Sequence, residues 1–289
     1  MSATGLIGLG AMGSHMAVNL ATKVKNVKVF DIRPEACAAA VKAGATPADK
    51  LEDMASCDPI LIMVNTGDQV NDVLKTLSRY VDPKKGLTVA VMSTVSRKQI
   101  KEIAERYKAY AIEVADAPVS GGPLLAQLGA LSIMMGGTDK QVEKLRPALE
   151  AVGRIIFHVG EVGQGAAMKL VNNVLTICNM VLTPAALRVG MEAGLDLKKM
   201  VEVINASAGK NLMTEAWEAA LMTFGIMYGT PDARAIQLKI NEKDIRAYLD
   251  LVKELGTKSA AGEAVLNMVL SDDQVDGPWL DKFQAAMRK

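Results

Sequence analysis

Two short stretches of the chain hold residues whose types and spacing could do chemistry. The first reads GLIGLGAMG, and its glycines Gly8, Gly10 and Gly13 have the spacing G-x-G-x-x-G. Glycines in this pattern let a backbone turn tightly and come close to a pyrophosphate. The second reads GAAMKLVNN and places Lys169 inside an otherwise apolar or neutral run. A lysine there offers an amine that could move a proton.

The glycine stretch is followed by a carboxylate at the distance expected for a dinucleotide site. Asp31 ends the second candidate strand, 31 − 13 = 18 residues after Gly13, close to the roughly 20 of such sites. A carboxylate there would accept both adenosine ribose hydroxyls and repel a 2′-phosphate. NAD is therefore the predicted cofactor, with NADP as the alternative because Arg33 lies two residues on. A glycine turn and an Asp that caps the next helix is the purely structural interpretation. The cofactor-binding residues predicted in the loop are Gly8, Leu9, Gly10, Ala11, Met12 and Gly13.

Two further loops should reach the same edge of the sheet. Val64 and Asn65 follow one apolar run, and Thr94 follows the next. Ligands of open α/β sheets bind at the carboxyl ends of strands, which predicts cofactor contacts from all three residues. Ser96 or Thr94 capping the next helix is the alternative.

Lys169 and Asn173 suit the oxidation of an alcohol. If this stretch is helical, residues four apart share one face, about 6 Å between their Cβ atoms. A lysine has a free pKa near 10.4, so a catalytic base at neutral pH needs a pKa lowered by burial or by a nearby positive charge. In the reverse direction the ammonium would donate the proton. The alternative interpretations are a lysine that extends along an apolar helix to solvent and an asparagine that packs two helices.

An anion-binding loop is predicted at residues 118–123, PVSGGP. The backbone N–H groups of Gly121 and Gly122 would be exposed to an anion, and Ser120 adds a hydroxyl. We expect a small substrate that carries a carboxylate or a similar acid. A simple turn before a helix is the alternative.

These residues need a scaffold, and the hydrophobic pattern supplies one. Short apolar runs alternate with helical patterns over about the first 160 residues, which is typical of a mostly parallel sheet buried on both faces. After Gly160 the pattern is helical, beginning with a long helix that Pro184 should bend. We predict an α/β dinucleotide-binding domain at residues 1–162 and an all-helical substrate and oligomerisation domain at 163–289. The strands and helices predicted from these patterns are strands at 4–8, 27–31, 59–64, 87–93, 111–116, 131–137 and 154–160, and helices at 11–22, 34–43, 68–80, 96–109, 196–208, 212–224, 233–255, 258–270 and 278–288.

Composition narrows the class of protein. The 289 residues carry 33 Lys and Arg against 32 Asp and Glu, a balance that argues against a nucleic-acid partner. Three scattered cysteines suit a reducing compartment, and two histidines give no usual zinc spacing. We expect no metal. No run of about 18 uninterrupted apolar residues occurs and the start of the chain does not look like a secretory signal, so we expect a cytoplasmic protein without a membrane partner.

Four motifs together resemble one family. They are GLIGLGAMG, DAPVSGGPLLAQLGALSIMMGG at 116–137, GQGAAMKLVNN at 163–173 and NEKDI at 241–245. Their order and spacing are similar to those of the β-hydroxyacid dehydrogenases, the group of the 3-hydroxyisobutyrate dehydrogenases and tartronate semialdehyde reductases. The resemblance covers nearly the whole chain and implies a Rossmann-type doubly wound domain followed by a helical one.

The resemblance also implies residue roles. Lys169 matches the catalytic lysine and Asn173 its neighbour on the substrate side, while Thr94 matches a nicotinamide-side contact and Lys243 with Asp244 a pair near the cofactor. Ser120, Gly121 and Gly122 match the loop that holds the substrate carboxylate. Family members usually form homodimers or homotetramers through the helical domain. The departures, among them Val64-Asn65, Arg97 and Pro184-Ala185, concern substrate preference.

The function predicted from the sequence is hydride transfer between a nicotinamide cofactor and a small 3-hydroxy acid or its semialdehyde. Two alternatives stay open at this point. One is a relative of the same fold that reduces imines or keto acids. The other is a non-catalytic protein that senses a dinucleotide and has no use for Lys169.

Overall fold

The computed structural model describes residues 2–215 and 217–271, and the helix predicted at 278–288 lies outside them. The chain divides into two compact units, the first ending at Lys169 and the second starting at Leu170. The predicted domain boundary at 162/163 stays a prediction, because the division falls inside one long helix. The strands in the described residues are β1 Thr4–Ile7, β2 Val27–Phe30, β3 Thr46–Pro47, β4 Ile60–Ile62, β5 Leu87–Val91, β6 Ile112–Asp116, β7 Val119–Ser120, β8 Leu131–Gly136 and β9 Gly153–Gly160.

The strands form one mostly parallel sheet in the order β3-β2-β1-β4-β5-β6-β8-β7, with β9 paired to β8. The pairs β1–β2, β1–β4, β4–β5, β5–β6 and β8–β9 are parallel, while β8 runs antiparallel to β6 and β7. The chain order reverses at β1, which has β2 on one side and β4 on the other. In such sheets the ligand binds at this reversal, outside the carboxyl ends of the strands.

Helices cover both faces of the sheet, as the unbroken apolar strands predict. Side chains on one face of the sheet, such as Leu6 and Leu61, pack with Met16 of the first helix, whereas Ile7 and Ile62 belong to the core on the other face. Each large apolar side chain that is buried contributes about 1.5–3 kcal/mol. The helices of this unit are α1 Gly13–Lys23, α2 Ala38–Lys42, α3 Gly67–Leu77, α4 Arg97–Lys108, α5 Gly122–Gln127 and α6 Asp139–Val152.

The sequence pattern did not name two short strands and two helices of this unit. β3 and β7 have two residues each, too short for a recognisable alternation. α5 and α6 follow the glycine-rich loop and β8, where only strands were named. The predicted helix at 34–43 begins as a 3₁₀ turn, Pro34–Cys37, before α2. The class of the unit, a doubly wound, mostly parallel sheet, is confirmed.

The second unit is helical throughout its described residues. Its elements match the helices predicted between 196 and 270 to within a few residues, and α7 continues through Pro184, so the bend there stays a prediction. The helices from the end of the first unit onward are α7 Gln164–Glu192, α8 Leu197–Asn205, α9 Leu212–Glu215, α10 Trp217–Tyr228, α11 Pro231–Glu254 and α12 Ala260–Leu270.

The long helix α7 is unusually apolar. An 18-residue window of it has a mean hydropathy of 1.5, so it is long and apolar enough to cross a bilayer by length and composition. A core helix of a soluble protein meets the same criteria, and 22% of this window is buried. The expectation of no membrane partner therefore stays a prediction. Leu175, Leu182 and Val189 are each more than half exposed and are spaced by seven residues along the helix.

Candidate active site

The glycine loop joins β1 to α1 and each of its three glycines has a different surrounding. Gly8 has a φ of +92°, and a Cβ there would collide with the carbonyl oxygen of Met63. A Cβ at Gly13 would collide with the carbonyl oxygen of Gly8, whereas a Cβ at Gly10 would meet no atom within 4 Å. The outer glycines therefore allow the tight turn and the close approach of α1 to β1, and Gly10 faces open space. This cradle fits a pyrophosphate at the start of α1.

Asp31 lies just past β2, and its carboxylate is held from two sides. Its Oδ2 accepts the backbone N–H of Leu9 at 2.7 Å, and its Oδ1 accepts the backbone N–H of Arg33 at 2.9 Å. The Arg33 Nε lies 3.3 Å from the same Oδ1, on a side chain that is 59% exposed. Burial raises the pKa of Asp31, but these backbone and guanidinium donors outweigh it and leave the pKa below its ordinary value. The carboxylate is thus ionised beside the glycine loop.

Ser93 connects the loops that follow β4 and β5 through two hydrogen bonds. Its buried hydroxyl donates to the carbonyl oxygen of Val64 at 2.7 Å and accepts the N–H of Val64 at 3.0 Å. Asn65 is exposed and Thr94 is half-buried. Ser96 accepts the N–H of Gln99 and caps α4, which is the structural role considered for it. Val64, Asn65 and Thr94 therefore follow the carboxyl ends of β4 and β5, and their cofactor contacts stay predictions.

Lys169 lies near the start of α7 and is buried, with 9% of it exposed. A carboxylate from β6 fixes this helix start: Asp116 accepts the N–H groups of Gly163 at 2.7 Å and of Ala166 at 2.6 Å. Asp116 belongs to the DAPVSGG motif, but no local pattern predicts that it reaches a helix about 50 residues later. The helix also places Asn173 four residues after Lys169, hence on the same face.

Asn173 is held by the late acidic residue. Its Nδ2 donates to Oδ2 of Asp244 at 2.7 Å, and Lys243 Nζ lies 3.3 Å from the other carboxylate oxygen. Asp244 is buried, and its Oδ1 has no hydrogen bond of good geometry. Because the carboxylate accepts one amide hydrogen of Asn173, it fixes which way the amide points. Lys243 is half-exposed, and its cofactor contact stays a prediction.

The predicted anion loop is formed by β7 and the start of α5. Ser120 pairs with Ser132 of β8, and the two glycines after it have φ of +135° and +68°. A Cβ at Gly121 would press on Leu125 at 2.8 Å, whereas one at Gly122 would meet nothing within 4 Å. Gly122 thus presents its backbone to open space, which suits the close approach of a ligand. The substrate-binding roles of Ser120, Gly121 and Gly122 stay predictions.

Lys210 and Asn211 of the second unit take part in local contacts. Lys210 pairs with Glu215 at 2.9 Å, and the Asn211 side chain accepts the N–H of Met213. The described residues contain no group of three His, Cys, Asp or Glu side chains that could hold a metal ion.

Two protein families match consecutive parts of the chain. Residues 3–160 match the NAD binding domain of 6-phosphogluconate dehydrogenase, and residues 163–287 match the NAD-binding domain of NADP-dependent 3-hydroxyisobutyrate dehydrogenase. The resemblance inferred from the four motifs is thereby confirmed.

Individual proteins agree with the family matches. The chain is 35% identical to 2-(hydroxymethyl)glutarate dehydrogenase of Eubacterium barkeri over 253 residues, which are 86% of this chain and 82% of the relative. It is 31% identical to 3-hydroxyisobutyrate dehydrogenase of Pseudomonas aeruginosa over 284 residues, 96% of this chain and 94% of the relative. The solved structure of Mycobacterium tuberculosis 3-hydroxyisobutyrate dehydrogenase with L-serine has a TM-score of 0.82 at 23% identity and covers 100% of both chains, which confirms the fold.

Proposed function

This chain belongs to the β-hydroxyacid dehydrogenase family and is a nicotinamide-dependent oxidoreductase of hydroxy acids, and we propose that Lys169 is its general acid and base. The burial of Lys169 carries the proposal. Burying a lysine amine is unfavourable unless the amine is paired or used, because its charge leaves water. Lys169 lies four residues before Asn173 on the same face of α7, at the position that the GAAMKLVNN motif gives to the catalytic lysine of the family, and this placement suits proton exchange at its Nζ.

The cofactor is held by the first unit. The Gly8–Gly13 turn would hold the pyrophosphate, and Asp31 would accept the ribose hydroxyls at the acceptor sites of its two oxygens that the N–H groups of Leu9 and Arg33 do not use. NAD is the expected cofactor, with NADP also accommodated, since Arg33 is exposed and free to turn toward a 2′-phosphate after leaving Asp31. When bound, the nicotinamide supplies the hydride acceptor for oxidation or the hydride donor for reduction.

Lys169 accepts or donates the proton that the substrate exchanges. In oxidation its uncharged Nζ accepts the hydroxyl proton of the substrate, and in reduction its ammonium donates a proton to the carbonyl oxygen. A positioned acid or base of this kind contributes roughly 10² to 10⁴-fold to the rate. Asn173, with its Nδ2 held by Asp244, keeps its Oδ1 available as an acceptor on the same helix face as Lys169. One lysine therefore serves both directions.

The substrate is proposed to be a small 3-hydroxy acid or its semialdehyde. The backbone of Gly122 faces open space after Ser120, and consecutive N–H groups at such a turn bind an acid group. The relative from Eubacterium barkeri is named for a hydroxymethyl acid. In such an acid the alcohol carbon and the carboxyl carbon are bonded to the same carbon atom, so they lie two bonds apart. That arrangement is what a lysine and a separate acid-binding loop would recognise.

The experiment is a panel of substrates followed by NADH absorbance. Purified protein is assayed with small 3-hydroxy acids, with their 2-hydroxy isomers as matched controls, and with semialdehydes, keto acids and imines, each with NAD(H) and NADP(H). Turnover of the 3-hydroxy acids well above that of their 2-hydroxy isomers supports the proposal. Turnover confined to imines or keto acids supports the relative with altered specificity. Cofactor binding without turnover of any substrate supports the sensor and contradicts the proposal.

We also propose that the chain forms a homodimer or homotetramer through α7. Leu175, Leu182 and Val189 form an exposed apolar stripe with a seven-residue period, the spacing at which two helices pack along their length. Light scattering should give a dimer or larger, and Leu175→Glu with Leu182→Glu should give monomers. Val41→Glu, at another exposed apolar site, is the control. A monomeric wild-type chain would contradict the assembly.

A cytoplasmic location stays part of the proposal, supported by three free cysteines.

A further inference from the structure

Asp116 is a buried carboxylate for which the chemistry above has no use. It ends β6, and 2% of the residue is exposed. Its Oδ1 accepts the N–H of Gly163 at 2.7 Å and its Oδ2 accepts the N–H of Ala166 at 2.6 Å. Gly163 directly precedes α7 and Ala166 lies in its first turn. A single side chain therefore ties the end of a central strand to the first turn of the helix that carries Lys169.

Two glycines make room for this contact. A Cβ at Gly136 of β8 would lie 2.5 Å from Oδ1 of Asp116, and a Cβ at Gly165 would lie 2.9 Å from its Oδ2. Distances below 3.0 Å do not occur between a real Cβ and its neighbours without a shift of one of them. A Cβ at Gly165 would also collide with the backbone oxygen of Met134, so this glycine allows α7 to approach β8 as well as the carboxylate. The contact of Asp116 is therefore part of the close packing between β8 and α7.

The carboxylate fills the part of the helix where backbone donors have no partner in the helix itself. A negative charge there also interacts favourably with the helix dipole, and short bonds from N–H groups to an ionised oxygen are about twice as strong as neutral ones. Lys169 follows Ala166 by three residues, less than one helical turn. A change in the position of Ala166 is therefore passed directly to Lys169.

The ionisation of this group falls in the range where enzymes are assayed. Burial raises the pKa of Asp116 to about 6, although the N–H groups of Gly163 and Ala166 act in the opposite direction. The charged side chains near this helix start are Arg97 and Lys101 of α4, which lie beside Gly163, together with Glu161 and Lys169 on the α7 segment. Asp116 is therefore mostly ionised at neutral pH and mostly protonated below about pH 5.

We propose that Asp116 is a positioning residue, whose ionised carboxylate holds the first turn of α7 and keeps Lys169 in the place where it exchanges its proton with the substrate. This inference depends on the proposed function of Lys169. Protonation of Asp116 weakens two charge-assisted bonds to the helix start and lets Lys169 move. Turnover then falls on the acid side, while binding of the dinucleotide at the Gly8–Gly13 turn is unaffected.

The test follows kcat and KM across about pH 5 to 8 in the reduction direction, where Lys169 must carry its proton and adds no acid limb of its own. For the wild type we expect kcat to fall as pH drops through about 6, with a steady KM for the cofactor. Asp116→Asn keeps the shape of the side chain but has no carboxylate to titrate. We expect its kcat to be lower by roughly 10- to 100-fold, as a misplaced catalytic group predicts, and to show no limb near pH 6.

The matched control is Asp58→Asn. Asp58 is also a partly buried carboxylate of the first unit, which accepts the N–H of Thr88 at 3.0 Å and pairs with Lys144, but it does not contact α7. We expect this variant to keep the wild-type limb and kcat. Because a raised pKa means that the native state binds the proton more tightly than the unfolded chain, protonation of Asp116 does not lower stability. A thermal midpoint that holds from pH 7 to pH 5.5 while kcat falls separates positioning from unfolding.

An Asp116→Asn enzyme with a wild-type kcat, or with the wild-type acid limb, would overturn the inference. If Asp116→Asn does not fold, the wild-type profile decides: a kcat that stays constant from pH 7 to pH 5, in a protein whose thermal midpoint also holds, would equally overturn the inference. Loss of turnover in Lys169→Ala together with a wild-type profile in Asp116→Asn would leave the proposed function standing and reject only this positioning role.

Discussion

Two helices that begin in the first unit, α1 and α7, differ in what faces the unpaired backbone N–H groups of their first turns. The start of α1 has no acidic residue in its first turn and no side-chain cap, and Gly10 in front of it faces open space. The start of α7 is filled by the carboxylate of Asp116, which accepts two of its N–H groups. Unpaired N–H groups at a helix start attract an anion in either case. The open start is suited to a ligand phosphate, and the filled start is suited to holding a catalytic side chain still.

The contrast extends to the glycines around each start. At α1 the outer glycines permit close packing, and the middle one leaves space for a ligand. At α7 the nearby Gly136 leaves space for the internal carboxylate, and Gly165 leaves space both for that carboxylate and for the backbone of Met134 in β8. Glycine therefore has two functions in this unit: it allows the backbone to approach a ligand, and it allows strands and helices to pack closely against each other.

The largest effect is expected when a side chain fills the space in front of α1. Gly13→Ala should destabilise the fold by about 3 kcal/mol or more, because its Cβ would collide with the Gly8 carbonyl oxygen. Gly10→Ala should leave the free energy of unfolding within about 0.5 kcal/mol and weaken NAD binding at least tenfold, because its Cβ occupies the ligand's space. Urea unfolding and NADH fluorescence titration measure the two effects. Equal loss of stability in both variants would mean that the space at Gly10 has no special role.

At the filled start, the prediction concerns stability and pH. The pKa of Asp116 is raised from 3.8 to about 6 by burial, so the native state is favoured at low pH and loses this contribution as pH rises from about 4 through about 6. Between pH 4.5 and pH 7 the loss should be on the order of 2 kcal/mol. Urea unfolding at pH 4.5 and pH 7 should show this decrease in the wild type and a smaller one in Asp116→Asn. The same pH dependence in both proteins would assign it to other groups.

The next largest effect is expected in the preference between NAD and NADP, at the end of the dinucleotide site where Asp31 lies. Asp31→Ser removes the acceptor for the ribose hydroxyls and frees Arg33, so the ratio of kcat/KM for NAD over NADP should fall by about tenfold or more. In the Asp31→Ser background, Arg33→Ala should remove most of the gain with NADP. Steady-state kinetics with both cofactors give the ratio. An unchanged ratio in Asp31→Ser would show that Asp31 is only a structural acceptor for Leu9 and Arg33.

The smallest effect is expected at an ordinary capped helix. Thr138 accepts the N–H of Gln141 and begins α6 without any open space or buried carboxylate. Thr138→Ala should cost about 1 kcal/mol of stability and leave turnover unchanged. Thermal unfolding and a standard assay suffice as measurements. A loss of turnover comparable to that of Asp116→Asn would mean that any helix start of this unit affects the chemistry.

The parts of this site that the sequence predicted are those coded within a short stretch. Gly8, Gly10 and Gly13 act within one turn, and Asp31 ends the next strand, so spacing alone located them. The mostly parallel sheet followed from apolar strands without alternation. Lys169 and Asn173 needed only the geometry of a helix and the resemblance to a family.

The parts that the sequence did not predict depend on contacts between distant residues. Asp116 reaches N–H groups about 50 residues later, and Asn173 meets Asp244 71 residues later. Such contacts are set by how elements pack and have no local pattern. β7 and β3 were missed because two residues cannot show a period. The raised pKa of Asp116 likewise follows from burial in the folded chain.

The most direct test of the central claim compares turnover and cofactor binding in Lys169→Ala, with Lys198→Ala, an exposed lysine of α8, as the control. We expect kcat of Lys169→Ala to fall by roughly 10² to 10⁴-fold while the Kd for NADH changes little, and Lys198→Ala to behave as the wild type. Folded Lys169→Ala with wild-type kcat in both directions would contradict the account.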